Sequence, residues 1–155
     1  MTLATDLLQA AKSKNVMIVT AESCTGGMVA AALTDIAGSS LVVDRGFVTY
    51  SNAAKIDMLG IRPETLDAFG AVSEPIAKEM ALGALRASQA GLAISVTGIA
   101  GPGGSEHKPE GRVCFACASD ATLHVETVEF GALGRDRVRA AARDHALKML
   151  LSALR

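Results

Sequence analysis

Between Gly38 and Lys55 the chain gathers Ser39, Ser40, Arg45, Tyr50, Ser51, Asn52 and Lys55 within 18 residues. A serine hydroxyl attacks a carbonyl carbon only when a base takes its proton. The chain offers no convincing Ser-His-Asp set, so the bases within reach are Lys55 and Tyr50. Lys55 can act once burial or a nearby cation such as Arg45 disfavours its charged form, and Tyr50 can relay the proton or orient the pair. The same residues also have an ordinary structural reading, in which Ser51 caps a helix, Lys55 is solvated on that helix and Ser40 merely begins a strand.

Two further stretches bear on ligands. Ala21-Glu22-Ser23-Cys24-Thr25-Gly26-Gly27 follows an apolar run and leads into an Ala-rich one. A helix opening there would aim its N-terminal amides and dipole at a phosphate, with Thr25 as an extra donor and Gly26-Gly27 allowing close approach. Helix capping accounts for the same residues. Thr97 to Ser105 is the most glycine-rich stretch. It lacks the Lys-Ser/Thr ending of a P-loop and runs into a strand, which disfavours nucleoside triphosphates, although its backbone N–H groups still suit an anion.

Cys24 is a rival nucleophile, because a thiol near a helix N-terminus can be activated by the dipole; a small buried Cys is the alternative. Cys114 and Cys117 lie in a strand-like run, where odd spacing sends them to opposite faces, against a redox or zinc role. His107, His124 and His145 fall in a loop, a strand and a helix and are expected to form no ligand cluster. A bound metal is therefore not expected.

The elements that must position these residues follow from periodicity and punctuation. Residues 3 to 14 read as a helix burying Leu7, Leu8 and Ala11, and Val16 to Thr20 as a buried strand. The Ala-rich helix runs to about Asp35. Gly38-Ser39-Ser40 breaks it, Leu41 to Tyr50 is a second strand, and Ser51-Asn52 caps the helix carrying Lys55. Gly60 closes that helix, Arg62-Pro63-Glu64 opens a short one, and Ser73-Glu74-Pro75 starts a longer one reaching about Ala90. Leu92 to Val96 is a buried strand, Val113 to Ala118 and Leu123 to Phe130 form a hairpin, and a last helix from about Arg135 turns Leu147, Leu150, Leu151 and Leu154 inward. Helices between early strands favour parallel pairing and the hairpin requires an antiparallel pair. The expected fold class is therefore α/β, a three-layer α/β/α sandwich on a mixed, mostly parallel sheet.

At 155 residues with half of them hydrophobic and only 3% aromatic, one domain with an aliphatic core is expected. A formal charge of −1 with dispersed basic residues lacks the footprint of a nucleic-acid binder. The N-terminus has neither a basic start nor a long apolar run, so no signal peptide or membrane span is expected and the cytoplasm is the default. A homodimer is the expected assembly.

The segments Ala21 to Gly27, Gly38-Ser39-Ser40, Arg45-Gly46-Phe47-Val48-Thr49-Tyr50-Ser51-Asn52 with Lys55, Ala71-Val72-Ser73 and Thr97 to Gly104 together resemble the C-terminal domain of the CinA family. These competence/damage-inducible proteins include bacterial nicotinamide-nucleotide amidohydrolases. The resemblance implies deamidation of nicotinamide mononucleotide to nicotinic acid mononucleotide and ammonia, without metal or cofactor. It also implies a catalytic set of a Gly-Ser-Ser serine, taken as Ser40, with Tyr50 and Lys55. Ser23, Thr25, Gly26, Gly27, Ser39, Arg45, Gly98, Gly101 and Gly103 become holders of phosphate and ribose, and Asn52 and Thr97 face the carboxamide or its oxyanion. Longer members carry an extra N-terminal domain, so the stand-alone amidase is the expected form. Glu110 departs from the family pattern, which has an apolar residue there in many members. A non-catalytic nucleotide- or partner-binding domain is the competing expectation.

Overall fold

The computed structural model describes residues 2–155. Helix α1 (Leu3–Lys14) is capped at its start by the Thr2 hydroxyl and ends at Asn15, which adopts a left-handed conformation. The Val16 amide still reaches back to Ala11 O, so it belongs to the closure of the helix. For that reason β1 spans Ile18–Glu22 instead of the expected Val16 to Thr20. The shift has a consequence for the site, since Glu22 becomes the last residue of a fully buried strand.

After α2 (Met28–Thr34), Ser39–Leu41 forms a single tight 3-10 turn before β2 (Val43–Val48). Helices α3 (Asn52–Leu59), α4 (Pro63–Phe69) and α5 (Glu74–Arg86) precede β3 (Leu92–Gly98). Helix α5 stops short of Ala90 because the following residues fold back on β2, where Arg45 Nη1 donates to Ala87 O and Asp44 accepts from the Gln89 amide. Strands β4 (Arg112–Ala118) and β5 (Leu123–Glu129) form the hairpin, and α6 (Arg135–Ala153) closes the chain.

The sheet order is β2-β1-β3-β4-β5, with β1 parallel to both β2 and β3, and the β3-β4 and β4-β5 pairs antiparallel. Alternating side chains split the core between two faces. Ile18, Ile94, Phe115 and Cys117 pack under α1, α2 and α6, while Val19, Ala93, Cys114 and Ala116 pack under α5 with Leu59 of α3. Cys114 and Cys117 therefore occupy opposite layers, as their spacing requires. From β1 the chain crosses first to one neighbour and later to the other, so a crevice opens beyond the carboxyl ends of β1, β2 and β3. No helix of the described residues is long and apolar enough to cross a membrane.

Candidate active site

Ser23 sits where β1 leaves the sheet, its amide still bonded to Val96 O of β3 at 2.9 Å. The turn that follows is dictated by Glu22. Its buried carboxylate spans the start of α2, accepting from the Thr25 hydroxyl (2.6 Å) and from the amides of Gly27 (3.2 Å), Val29 (2.9 Å) and Ala30 (3.0 Å). Gly27, at φ 106, supplies the conformation that brings these amides round. The helix N-terminus read as a phosphate site is thus already occupied by the protein's own anion. Thr25, Gly26 and Gly27 spend their polar groups and backbone on that closure and line no ligand cavity. From the other side Arg139 of α6 donates to Cys24 O (3.0 Å) and Thr25 O (3.3 Å), clamping the turn that carries Ser23.

Lys55 comes from α3, which begins with the Ser51 hydroxyl accepting from the Ala54 amide. Far from being solvated, its side chain is only 1% exposed. Its Nζ donates to Ser23 Oγ at 3.1 Å, Thr49 O at 2.9 Å and Tyr50 O at 3.3 Å. No carboxylate pairs with it among the described residues. Burial lowers its pKa from the ordinary 10.5, opposed in part by the fields of Cys24 and Glu106. A desolvated amine beside a serine hydroxyl is the arrangement that base-activated acyl transfer needs.

The expected partner serine is elsewhere. Gly38 to Leu41 precedes β2 whereas Tyr50 and Lys55 follow it, and a six-residue strand at about 3.3 Å per residue separates its ends by roughly 17 Å. Ser39 and Ser40 therefore lie at the far end of the sheet, where Gly38 borders a groove with Leu8 and Lys12 of α1. Arg45 is also away from the crevice. It bonds Asp44 at 3.0 Å and covers Ala87 O, closing α5 instead of tuning Lys55.

A cavity of about 380 Å³ opens over Ser23 and Lys55, and Tyr50, Asn52, Thr97, Gly98, Gly101 and Gly103 also line it. Thr97 spends its hydroxyl on Ala71 O at 2.8 Å, propping the opposite wall. The Cys24 amide, next to Ser23, has no backbone acceptor in the described chain, and the same holds for the amides of Ala100, Gly101 and Gly104. Glu110 accepts from the Gly103 amide (2.7 Å) and the Gly134 amide (2.9 Å), and so ties the glycine loop to the start of α6. Burial raises the Cys24 thiol to about 12, which leaves it protonated and removes it as an activated nucleophile.

Arg135 is the lining residue that sequence reasoning missed. Its Nη2 donates to Tyr50 Oη at 2.8 Å and its Nη1 to Gly101 O at 2.7 Å. Tyr50 thus commits its hydroxyl at the rim and meets Lys55 through its carbonyl. No spacing links residues so far apart in the chain. The available signal was a cation on the first turn of a helix, the end where the dipole disfavours positive charge. His124 and His145 both reach Glu126, at 3.5 and 2.6 Å, because α6 packs over β3 and β4 beside the strand that carries His124 and Glu126. Among the described residues no group of three or more His, Cys, Asp or Glu can hold a metal.

Comparison with known proteins agrees with this architecture. The family described as the CinA C-terminal domain matches residues 1–154. Over 151 residues the chain is 52% identical to nicotinamide-nucleotide amidohydrolase PncC of Escherichia coli K12, covering 97% of this chain and 92% of that protein. The PncC of Enterobacter agglomerans is 49% identical over 151 residues, 96% of this chain and 92% of its own. The crystal structure of the competence/damage inducible protein CihA from Agrobacterium tumefaciens superposes with a TM-score of 0.94 at 51% identity, covering 98% of this chain and 93% of that one.

Proposed function

The chain belongs to the CinA C-terminal domain family, and we infer that it is a nicotinamide-nucleotide amidohydrolase in which Ser23 is the nucleophile and Lys55 its base. The observation that carries this assignment is the buried Lys55 Nζ 3.1 Å from Ser23 Oγ with no carboxylate to hold its charge. The substrate is nicotinamide mononucleotide.

In the neutral state Lys55 accepts the Ser23 proton as Oγ bonds to the carboxamide carbon. The tetrahedral intermediate collapses as the C–N bond breaks, and Lys55 returns the proton to the departing nitrogen, releasing ammonia. Water, deprotonated by the same amine, then cleaves the acyl ester to leave nicotinic acid mononucleotide and regenerate Ser23. The Cys24 amide, next to Ser23 in the chain and without a backbone partner, is a candidate oxyanion donor, a contribution of about 3 kcal/mol in serine hydrolases. Asn52 at the start of α3 lines the cavity and in this reading meets the carboxamide, and Tyr50 acts through its carbonyl and its ring at the cavity mouth rather than as a relay.

Mass spectrometry of protein quenched during turnover tests the assignment, because an acyl adduct is expected on the peptide bearing Ser23. Binding of the nucleotide with no ammonia released at any pH would favour a nucleotide-binding module instead. Three free thiols suit a cytoplasmic chain. The expected homodimer is checked by light scattering.

A further inference from the structure

A mononucleotide brings a phosphate, and of the sites anticipated for it only the glycine loop from Thr97 lines the cavity, the others being occupied or remote. Glu22 fills the start of α2, Arg45 closes α5, and Arg139 is bonded to the carbonyls of Cys24 and Thr25. Lys108, on the tight hairpin over Gly70, donates to Phe69 O and Val72 O. Among the side chains lining the cavity, Lys55 and Arg135 are the cations, and Lys55 is buried on the cavity floor.

Arg135 is different in kind. Two of its five N–H groups hold Tyr50 Oη and Gly101 O, which fixes the guanidinium across the rim between two walls. Its remaining donors have no carboxylate within ion-pair range among the described residues. The one acidic side chain in the lining, Glu106, stands on the hairpin over Gly70 and makes no pair with Arg135. The neighbouring Ala100, Gly101 and Gly104 amides are unpaired. A fixed fork of donors beside free backbone amides suits the oxygens of a phosphate monoester.

We propose that Arg135 is the specificity-determining residue of this cavity, binding the substrate's phosphate and so selecting the nucleotide over its riboside. The inference rests on the amidohydrolase reading for its substrate and on the rim geometry for its residue. It also gives Tyr50 a purpose, as the prop that holds the guanidinium in place.

The test compares nicotinamide mononucleotide with nicotinamide riboside as substrates of the wild type, Arg135→Gln and Arg135→Lys, with thermal melts to establish that each variant folds. The nucleotide-to-riboside ratio of kcat/KM should fall about 100-fold in Arg135→Gln and recover in part in Arg135→Lys. Competitive inhibition by inorganic phosphate should weaken in parallel. Equal losses on both substrates with phosphate inhibition intact would overturn the proposal and reduce Arg135 to a structural tie. Should the wild type release no ammonia, the amidohydrolase reading fails on its own. Calorimetric binding of the same two compounds then decides the role of Arg135, with an unchanged preference in Arg135→Gln counting against it.

Discussion

Lys55 Nζ and Ser23 Oγ lie 3.1 Å apart although 32 residues separate them in the chain. The parallel pairing of β1 with β2 places Ser23 and Thr49 side by side beyond the sheet, with the Thr49 amide on Glu22 O at 2.9 Å. One turn into α3, Lys55 then reaches back over that junction.

Ser23→Ala should therefore lower kcat for ammonia release by about 1,000-fold or more, whereas Ser40→Ala should stay within about twofold of wild type because it sits at the opposite end of β2. Steady-state assays of the two variants decide between them, and a large loss in Ser40→Ala would sink the assignment.

The lowered pKa of Lys55 gives a pH dependence of defined sign. Only the neutral amine accepts a proton, so kcat/KM should rise with pH along a limb whose midpoint lies below 10.5. Between that midpoint and 10.5 the unfolded chain keeps a proton that the folded site has shed, so this group makes unfolding free energy increase with pH. Lys55→Met should abolish both the activity and this slope, measured by pH-rate profiles and denaturant titrations.

Glu22 holds four donors at the start of α2 and is fully buried. Glu22→Ala strands the Thr25 hydroxyl and three amides, and should cost about 3 kcal/mol of stability. Chemical denaturation measures it. Activity of the folded fraction should drop as well, since the Ser23 turn loses its inner clamp.

Gly83 of α5 lies against the end of α3, where an added Cβ would collide with the carbonyl of Leu59. Gly83→Ala should destabilise the protein by about 2 kcal/mol and push α3 outward. Because α3 carries Lys55, kcat should fall more than KM rises, which separates this variant from Arg135→Gln.

The elements, and part of the crevice lining, were legible in the sequence. Aliphatic periodicity marked the strands and helices, Ser51 marked the start of α3, and the glycine run from Thr97 marked a loop at a strand end. These signals are local, arising from backbone conformation and from which side of a segment is apolar. Lys55 and Tyr50 stood out as the bases a serine could use, whereas Asn52 and Thr97 were singled out by the family resemblance.

Which of them meet depends on the fold. Ser40 was close to Lys55 in the chain, but β2 runs between them and carries the two apart. Ser23 was distant in sequence, yet hydrogen-bonded strands bring it within reach of the amine. The glycine turn before α2 read as an anion site, and only the position of Glu22 at the end of β1 shows that the anion is the protein's own. Arg135 joins the crevice because β5, antiparallel to β4, ends on the same side of the sheet as β1 and β3, and α6 begins there. Each of these outcomes depends on strand register and helix docking, which bring together residues that no spacing along the chain relates.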